Sequence, residues 1–319
     1  MPELRHDAIS GRDVIVAVER AARPFTVEAP PATGVARGCP FCHGNEDMTP
    51  PEVHRTGEGP AETTGWRVRV VPNLYPIVDA PSTHDAREGS VRVTGAHEVV
   101  ILSPDHDASF GKLEPEAAVE VLTVIRHRVQ EHLTGGHRYV QVFMNHGKAA
   151  GASIAHPHAQ IVALDRVPEA VETSVARFAT TDLVAHELAD ARKHDRVVVD
   201  GPAPVWAPFA AWVPYGMRIA HRSTRARIED ATDAELGVIA IGLRDALAAL
   251  HRTLGEAPYN VVFRTAPPGG SAGEFHWHLD VIPRVGIIAG FEEGTGMLVN
   301  TVAPEQAAVL LRDSGPRSS

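Results

Sequence analysis

His156-Pro157-His158-Ala159-Gln160 sets two imidazoles and a carboxamide at every second position, just before the apolar run Ile161 to Leu164. Alternate residues of a strand share a face, so a strand through this stretch aims all three side chains the same way. An imidazole can attack, carry a proton or ligate a metal, and a carboxamide donates and accepts without charge. The stretch ahead, Asn145 to Ala155, is rich in Gly, Ala and Ser, so the backbone there can pass close to a ligand. Before that, Tyr139 to Met144 alternates and reads as a strand. Two imidazoles and an amide in one row behind a small-residue loop favour a reactive site over a solvated sheet face.

A second set of chemically capable residues is Cys39-Pro40-Phe41-Cys42, which follows Gly38 and carries both cysteines of the chain. Two cysteines exclude a disulfide framework and leave a metal half-site or a redox pair. A redox pair belongs at a helix start after a strand, whereas Gly, Pro, Asn and Asp surround this one. The knuckle is better suited to give two thiolates to one tetrahedral metal.

The elements that must position these residues are legible in the spacing. Val119, Leu122, Ile125, Val129 and Leu133 recur at helical intervals within 115–133, and His127 and His132 are expected on that helix's surface. Leu236, Ile239, Leu243, Leu247, Leu250 and Leu254 do the same within 233–254. Asp13 to Val18 and Trp66 to Val71 read as strands, and Val205 to Trp212 as a strand broken by proline. Tyr259 to Phe263 parallels Tyr139 to Phe143, and His276-Trp277-His278 parallels the first histidine row. Phe143 and His156 are 13 residues apart, as are Phe263 and His276. Strand, helix, strand, loop and H-x-H strand therefore occur twice, which points to a duplication. The expected fold class is α+β: two repeats, residues 1–170 and 171–319, whose mostly antiparallel sheets join into one extended sheet with flanking helices.

Composition narrows the function classes. The net charge is −10, with 40 acidic against 30 basic residues, so nonspecific nucleic-acid binding is not expected. With no membrane-length apolar run and no basic-then-apolar leader in residues 1–30, a cytoplasmic protein without a membrane partner is expected.

Taken together, C-P-F-C, Ser103-Pro104-Asp105-His106 and H-P-H-A-Q resemble the galactose-1-phosphate uridylyltransferase family, the transferase branch of the histidine triad superfamily. The resemblance runs from Val14 to Leu311 and implies a fold of paired histidine-triad motifs. It assigns His158 as the nucleophile toward the α-phosphorus of a nucleoside diphosphate sugar. It gives Gln160 the phosphoryl oxygens, with Ser153 and the backbone from Gly147 to Ala152 beside it. It implies a zinc ion held by Cys39, Cys42, His106 and His156, closed and therefore structural. Arg20 and Arg23 match the family's R-x-x-R-P element near the nucleotide, and Asn73 its nucleoside pocket. Asn145 and Gly147 fall in the loop that meets the substrate. Phe291 and Glu292 match an aromatic-Glu pair that reaches sugar hydroxyls across a homodimer.

Two departures bear on chemistry. Arg264-Thr265 before Ala266-Pro267 and, with the rows aligned by Pro283, Asp280 stand where some family members carry histidine ligands of a second metal, so His276 and His278 are expected as hydrogen-bonded core or cleft residues. Phe291 replaces the usual Tyr, and the glutamine that follows it in the family is missing.

The resemblance thus implies an enzyme of galactose metabolism. It would exchange a nucleoside monophosphate between a sugar nucleotide (UDP-glucose) and a sugar phosphate, galactose 1-phosphate, through a nucleotidyl-histidine. A related reading is a nucleoside diphosphate sugar phosphorylase of the ADP-glucose type. A different class, a nucleotide-binding module without turnover, is opposed by the intact His158 and Gln160. Gln160 also opposes a dinucleotide hydrolase.

Overall fold

The computed structural model describes residues 1–22, 38–78, 90, 92–269 and 273–314. Arg23 lies outside them. The chain opens with β1 (Glu3–His6) and β2 (Asp13–Val16). There follow β3 (His54–Gly57), β4 (Trp66–Pro72), β5 (Gly95–Ile101), α1 (Pro115–Thr134), β6 (Tyr139–His146) and β7 (His158–Leu164). Next come α2 (Glu169–Arg177), α3 (Leu183–Lys193), β8 (Val197–Val199), β9 (Val205–Trp206), β10 (Met217–Ile219), α4 (Asp233–Leu254), β11 (Tyr259–Arg264) and β12 (His278–Pro283). The chain closes with α5 (Gly290–Thr295), β13 (Leu298–Asn300) and α6 (Pro304–Asp313).

Ten strands form one sheet in the order β3-β4-β5-β7-β6-β11-β12-β10-β9-β8. Read inward from either edge, the two sets of five strands follow the same path, with α1 and α4 at equivalent places. The pairings within this sheet are antiparallel, including the β6–β11 seam, where Asn145 faces Asn260 and Met144 faces Val261. This is the expected α+β arrangement of two repeats in one extended sheet. β13 pairs parallel with β2, which pairs antiparallel with β1, in a separate three-stranded sheet.

The sheet has two chemically different faces. On one, Val100, Ala159, Ile161, Val142, Met144, Val261, Phe263, Leu279 and Val281 form a single core with the apolar stripes of α1 and α4. The helices are well specified locally. Pro115 sits in the first turn of α1, and Thr232 caps α4 by accepting from the Glu235 N–H while Glu235 accepts from Thr232. The opposite face mixes polar side chains with a smaller apolar cluster that includes Val71, Val99 and Ile101. The Cα register sets Gln160 opposite Val99 and His158 opposite Ile101, so both histidine and glutamine lie on this second face.

Two sequence expectations fail. His132 is buried, not on the surface, because its Nε2 lies 3.1 Å from the buried Glu98 carboxylate, which Arg128 also holds at 2.6 Å. The strand expected through Val205 to Trp212 stops at Trp206, two residues before Pro208, which has no N–H for a ladder. Among the described residues no helix is long and apolar enough to cross a membrane.

Candidate active site

The C-P-F-C knuckle is fixed by its own backbone and by β4. The Cys42 N–H donates to the Cys39 carbonyl, and the Asn45 amide donates to the same oxygen at 2.8 Å. Trp66 Nε1 donates to Glu46 at 2.9 Å, and the buried Arg69 binds Glu52 and Thr49. At the end of β5 the Leu102 N–H donates to the Pro157 carbonyl, which draws the Ser103–His106 turn against the histidine row.

These contacts gather Cys39, Cys42, His106 and His156, whose ligand atoms all lie within 4.8 Å of one another. Cys42 Sγ is 3.4 Å from His106 Nδ1 and 3.6 Å from His156 Nδ1. Ordinary zinc–sulfur and zinc–nitrogen bonds at a tetrahedral angle put S and N about 3.5 Å apart, so the geometry suits a tetrahedral metal. His156 Nε2 donates to the Ser103 carbonyl at 2.7 Å, which leaves Nδ1 as a lone-pair donor to the cluster. Without a cation, burial and the neighbouring Cys39 push the Cys42 thiol up to about 11. A bound metal reverses that logic by stabilising the thiolate. The cluster can therefore hold a metal ion.

The histidine row differs from a simple strand face. β7 begins at His158, because Pro157 has no N–H to give to a ladder. His156 turns into the Cys/His cluster, while His158 and Gln160 share a face of the sheet. His158 Nδ1 lies 2.8 Å from the His156 carbonyl. A carbonyl only accepts, so Nδ1 carries the proton and the Nε2 lone pair is free. Nε2 makes no hydrogen bond to the protein among the described residues. Burial pushes the His158 pKa down, a shift that the carbonyl contact opposes, and keeps the imidazole neutral. Phe41 packs edge-on against both imidazoles, with centroids 5.4 Å from His158 and 6.1 Å from His156.

Gln160 Oε1 lies 2.9 Å from His97 Nε2, a contact that spacing alone did not suggest. His97 stands outside the Cys/His cluster. Its place on β5, two residues before the partner of Gln160, was the available signal. Asn73 lies 3.1 Å from the same nitrogen and accepts from the Tyr75 N–H at 2.8 Å. Asn145 accepts from Asn260 Nδ2 at 2.7 Å. Gly147, at φ +80°, lies against Pro258, where a Cβ would come within 2.8 Å. Three of the loop N–H groups expected to face phosphoryl oxygens are already used: those of Ala150 and Ala152 by the Gly147 carbonyl, and that of Gly151 by Lys148. Ser153 is exposed.

No hydrogen bond, ion pair or ring contact links Arg20, Phe291 or Glu292 to His158 or Gln160. Arg20 is exposed in a short 3₁₀ turn, Phe291 is 48% exposed on α5, and Glu292 accepts from the Ala289 N–H.

The second repeat copies the backbone of this site but not its chemistry. His278 Nδ1 lies 2.8 Å from the His276 carbonyl, and His276 Nδ1 lies 3.0 Å from Asp182. Arg218 and Arg264 both pair with Asp280 at 2.9 Å. Among the described residues the only metal-capable His/Cys/Asp/Glu group is the one in the first repeat.

A family model described as "Galactose-1-phosphate uridyl transferase, N-terminal domain" matches residues 1–168, more than half of the chain. The chain belongs to the galactose-1-phosphate uridylyltransferase family. A second family model, described only as a domain of unknown function, matches residues 93–313. Within the uridylyltransferase family, the relatives differ in activity. The chain is 32% identical to the ADP-glucose phosphorylase of Arabidopsis thaliana, over 98% of this chain and 93% of that one. It is 25% identical to the galactose-1-phosphate uridylyltransferase of Thermotoga maritima, over 98% and 99%. A crystal structure of the Arabidopsis phosphorylase with bound ADP-glucose superposes with a TM-score of 0.83 at 29% identity, covering 98% of both chains. A uridylyltransferase structure at 24% identity, with a TM-score of 0.73, shares the fold.

Proposed function

We propose that this protein transfers a nucleotidyl group from a nucleoside diphosphate hexose to a phosphate acceptor through a covalent intermediate on His158. The observation that carries the reading is the fixed tautomer of His158, protonated on Nδ1 against the His156 carbonyl with Nε2 unengaged. In the first step the Nε2 lone pair attacks the α-phosphorus, and the bond to the bridging oxygen breaks. The hexose 1-phosphate leaves with the electron pair as a weak base, so no general acid is required. In the second step an oxygen of the acceptor phosphate attacks the same phosphorus and releases neutral His158. Gln160 and Ser153 would hold the phosphoryl oxygens, where charge concentrates in the transition state. Arg20, Arg23, Asn73, Asn145 and Gly147 would line the nucleotide.

Zinc is the metal that best suits the Cys39, Cys42, His106 and His156 donor set, with no ligand position left for water. When bound it supplies structure: it would hold His156, whose carbonyl orients His158, and the knuckle that carries Phe41. The halves 1–170 and 171–319 would divide the work, the first holding the metal and nucleophile. The second would carry the sugar-binding segment around Phe291 and Glu292, reaching the site of a second subunit in a homodimer.

The similarity to the Arabidopsis phosphorylase supports inorganic phosphate as acceptor and ADP-glucose as donor. The uridylyltransferase relatives support galactose 1-phosphate and UDP-glucose. Incubation with ADP-glucose or UDP-glucose labelled at the α-phosphorus tests both. One of them should label the protein, and His158→Gly should not label. A chase with phosphate or with galactose 1-phosphate then identifies the acceptor by which one removes the label. Equal labelling of wild type and His158→Gly would move the nucleophile to another residue, and labelling of neither would leave a nucleotide-binding module instead.

A further inference from the structure

The three carboxamides near His158 are all held by their oxygens. The Tyr75 N–H donates to Asn73 Oδ1 at 2.8 Å, and Asn260 Nδ2 donates to Asn145 Oδ1 at 2.7 Å. The orientation of Asn260 is itself fixed. Arg284 Nε, which can only donate, faces its Oδ1 at 2.5 Å, so its amide nitrogen must face Asn145 and the Ala150 carbonyl at 2.8 Å.

Gln160 follows the same rule through His97. The Ile77 N–H points at His97 Nδ1 at 3.3 Å. A backbone N–H cannot be turned away, so Nδ1 accepts and the proton of the neutral ring sits on Nε2. Nε2–H then donates to Gln160 Oε1 at 2.9 Å. The 3.1 Å approach of Asn73 Nδ2 to that nitrogen is not a hydrogen bond in this tautomer, and leaves the Asn73 NH₂ for a ligand. Burial lowers the His97 pKa, though its bond to Gln160 opposes the shift, and this favours the neutral ring. No acceptor among the described residues takes the NH₂ of Gln160, Asn145 or Asn73. The result is a site whose amides present donors only, matched to a ligand rich in phosphoryl and carbonyl oxygens.

We infer that His97 is a positioning residue for transfer: its Nε2–H holds the Gln160 carbonyl and so aims the Gln160 NH₂ at the phosphoryl group beside His158. Left alone, a carboxamide can rotate by a half turn and present an oxygen to an anion, which repels it. The inference rests on the reading of His158 and Gln160 given above.

The test is a double-mutant cycle with ADP-glucose, UDP-glucose, phosphate and galactose 1-phosphate as substrates, measuring kcat, KM and thermal unfolding. His97→Leu removes the donor, and His97→Gln returns an N–H near the place of Nε2. Gln160→Ala should lose about two to three decades in kcat, the usual effect of removing one such donor. His97→Leu should lose about one to two decades in kcat with a smaller change in KM, and His97→Gln should regain most of it. In the Gln160→Ala background, His97→Leu should cost nothing further, because its target is gone. A purely structural role predicts the opposite: the same loss in both backgrounds, tracking the unfolding temperature. That result, or full activity of His97→Leu beside a crippled Gln160→Ala, overturns the inference and leaves the His158 reading standing. Full activity of Gln160→Ala overturns the inference and the assigned role of Gln160 together, and only an active His158→Gly reaches the nucleophile.

Discussion

His158 and His278 make the same hydrogen bond, each with Nδ1 2.8 Å from the carbonyl two residues before it, at the start of equivalent strands. The scaffold for a neutral, tautomer-fixed imidazole is therefore present twice. Only one copy is open: the Nε2 of His278 is buried without a hydrogen-bond partner among the described residues, and His278 is 1% exposed against 6% for His158. Arg218, Arg264 and Asp280 fill the ground around the closed copy. Activity should depend on one histidine and stability on the other. His278→Asn, which keeps a donor to the His276 carbonyl, should retain nucleotidyl transfer within about threefold, while His158→Asn should abolish it. Steady-state assays of the two variants check this.

Buried His278 also predicts a pH dependence of stability. Burial lowers its pKa from 6.5 to about 3, so the folded chain binds fewer protons there than the unfolded chain between those values. The stability it contributes is complete above pH 6.5 and declines as the pH falls toward 3. The slope is at most one proton, about 1.4 kcal/mol per pH unit. Urea titrations from pH 7 to 4 should show this slope in wild type and a smaller one in His278→Asn.

For His158 the same sign applies to activity. Burial lowers its pKa below 6.5, so the proposed nucleophile stays neutral to lower pH than a free imidazole would. The acid limb of kcat/KM should fall below pH 6.5. An acid limb centred at or above 7 would contradict the buried, neutral ring.

Metal removal should act on fold and chemistry together. His156 offers Nδ1 to the cluster and its carbonyl to His158. Purified protein is expected to carry about one zinc per chain. Chelation, or Cys42→Ser, should lower the unfolding temperature and kcat in parallel, because a structural zinc contributes folding free energy directly. Metal analysis beside calorimetry checks the stoichiometry and the linkage.

Phe41 joins the two sites. Phe41→Leu keeps most of the apolar bulk but loses the edge contacts to His156 and His158, at a cost of about 1 kcal/mol. Metal content should stay unchanged, while kcat falls by roughly tenfold through misalignment of the imidazole. Loss of metal with unchanged kcat in metal-reconstituted protein would separate the sites.

Much of this was legible in the chain. The two long helices follow from leucine and valine spacing, and the duplication from the equal distance between Phe143 and His156 and between Phe263 and His276. The gathering of Cys39, Cys42, His106 and His156 agrees with the motif resemblance. What spacing could not give depends on cross-strand register. His97 reaches Gln160 across β5 and β7, and Asn260 reaches Asn145 across the seam, pairs 63 and 115 residues apart. Pro157 also breaks the assumed strand, because a residue without an N–H delays the ladder and lets His156 turn aside. The buried His132 was hidden for a similar reason, since its partner Glu98 lies on another element.

The β6–β11 seam has a consequence for synthesis. β6 is an inner strand only once β11 has joined it, yet β11 begins at Tyr259, 95 residues after β7 ends at Leu164. At about 5 to 20 residues per second, the ribosome needs about 5 to 20 s to supply that partner. Through this interval β6 lacks its seam partner and leaves an unpaired edge that carries Tyr139, Val140, Val142 and Met144. An open apolar edge is a template for pairing with another nascent chain. Slow translation through residues 165–258 should therefore favour intermolecular pairing over the intramolecular seam, and chaperone dependence should track elongation rate there.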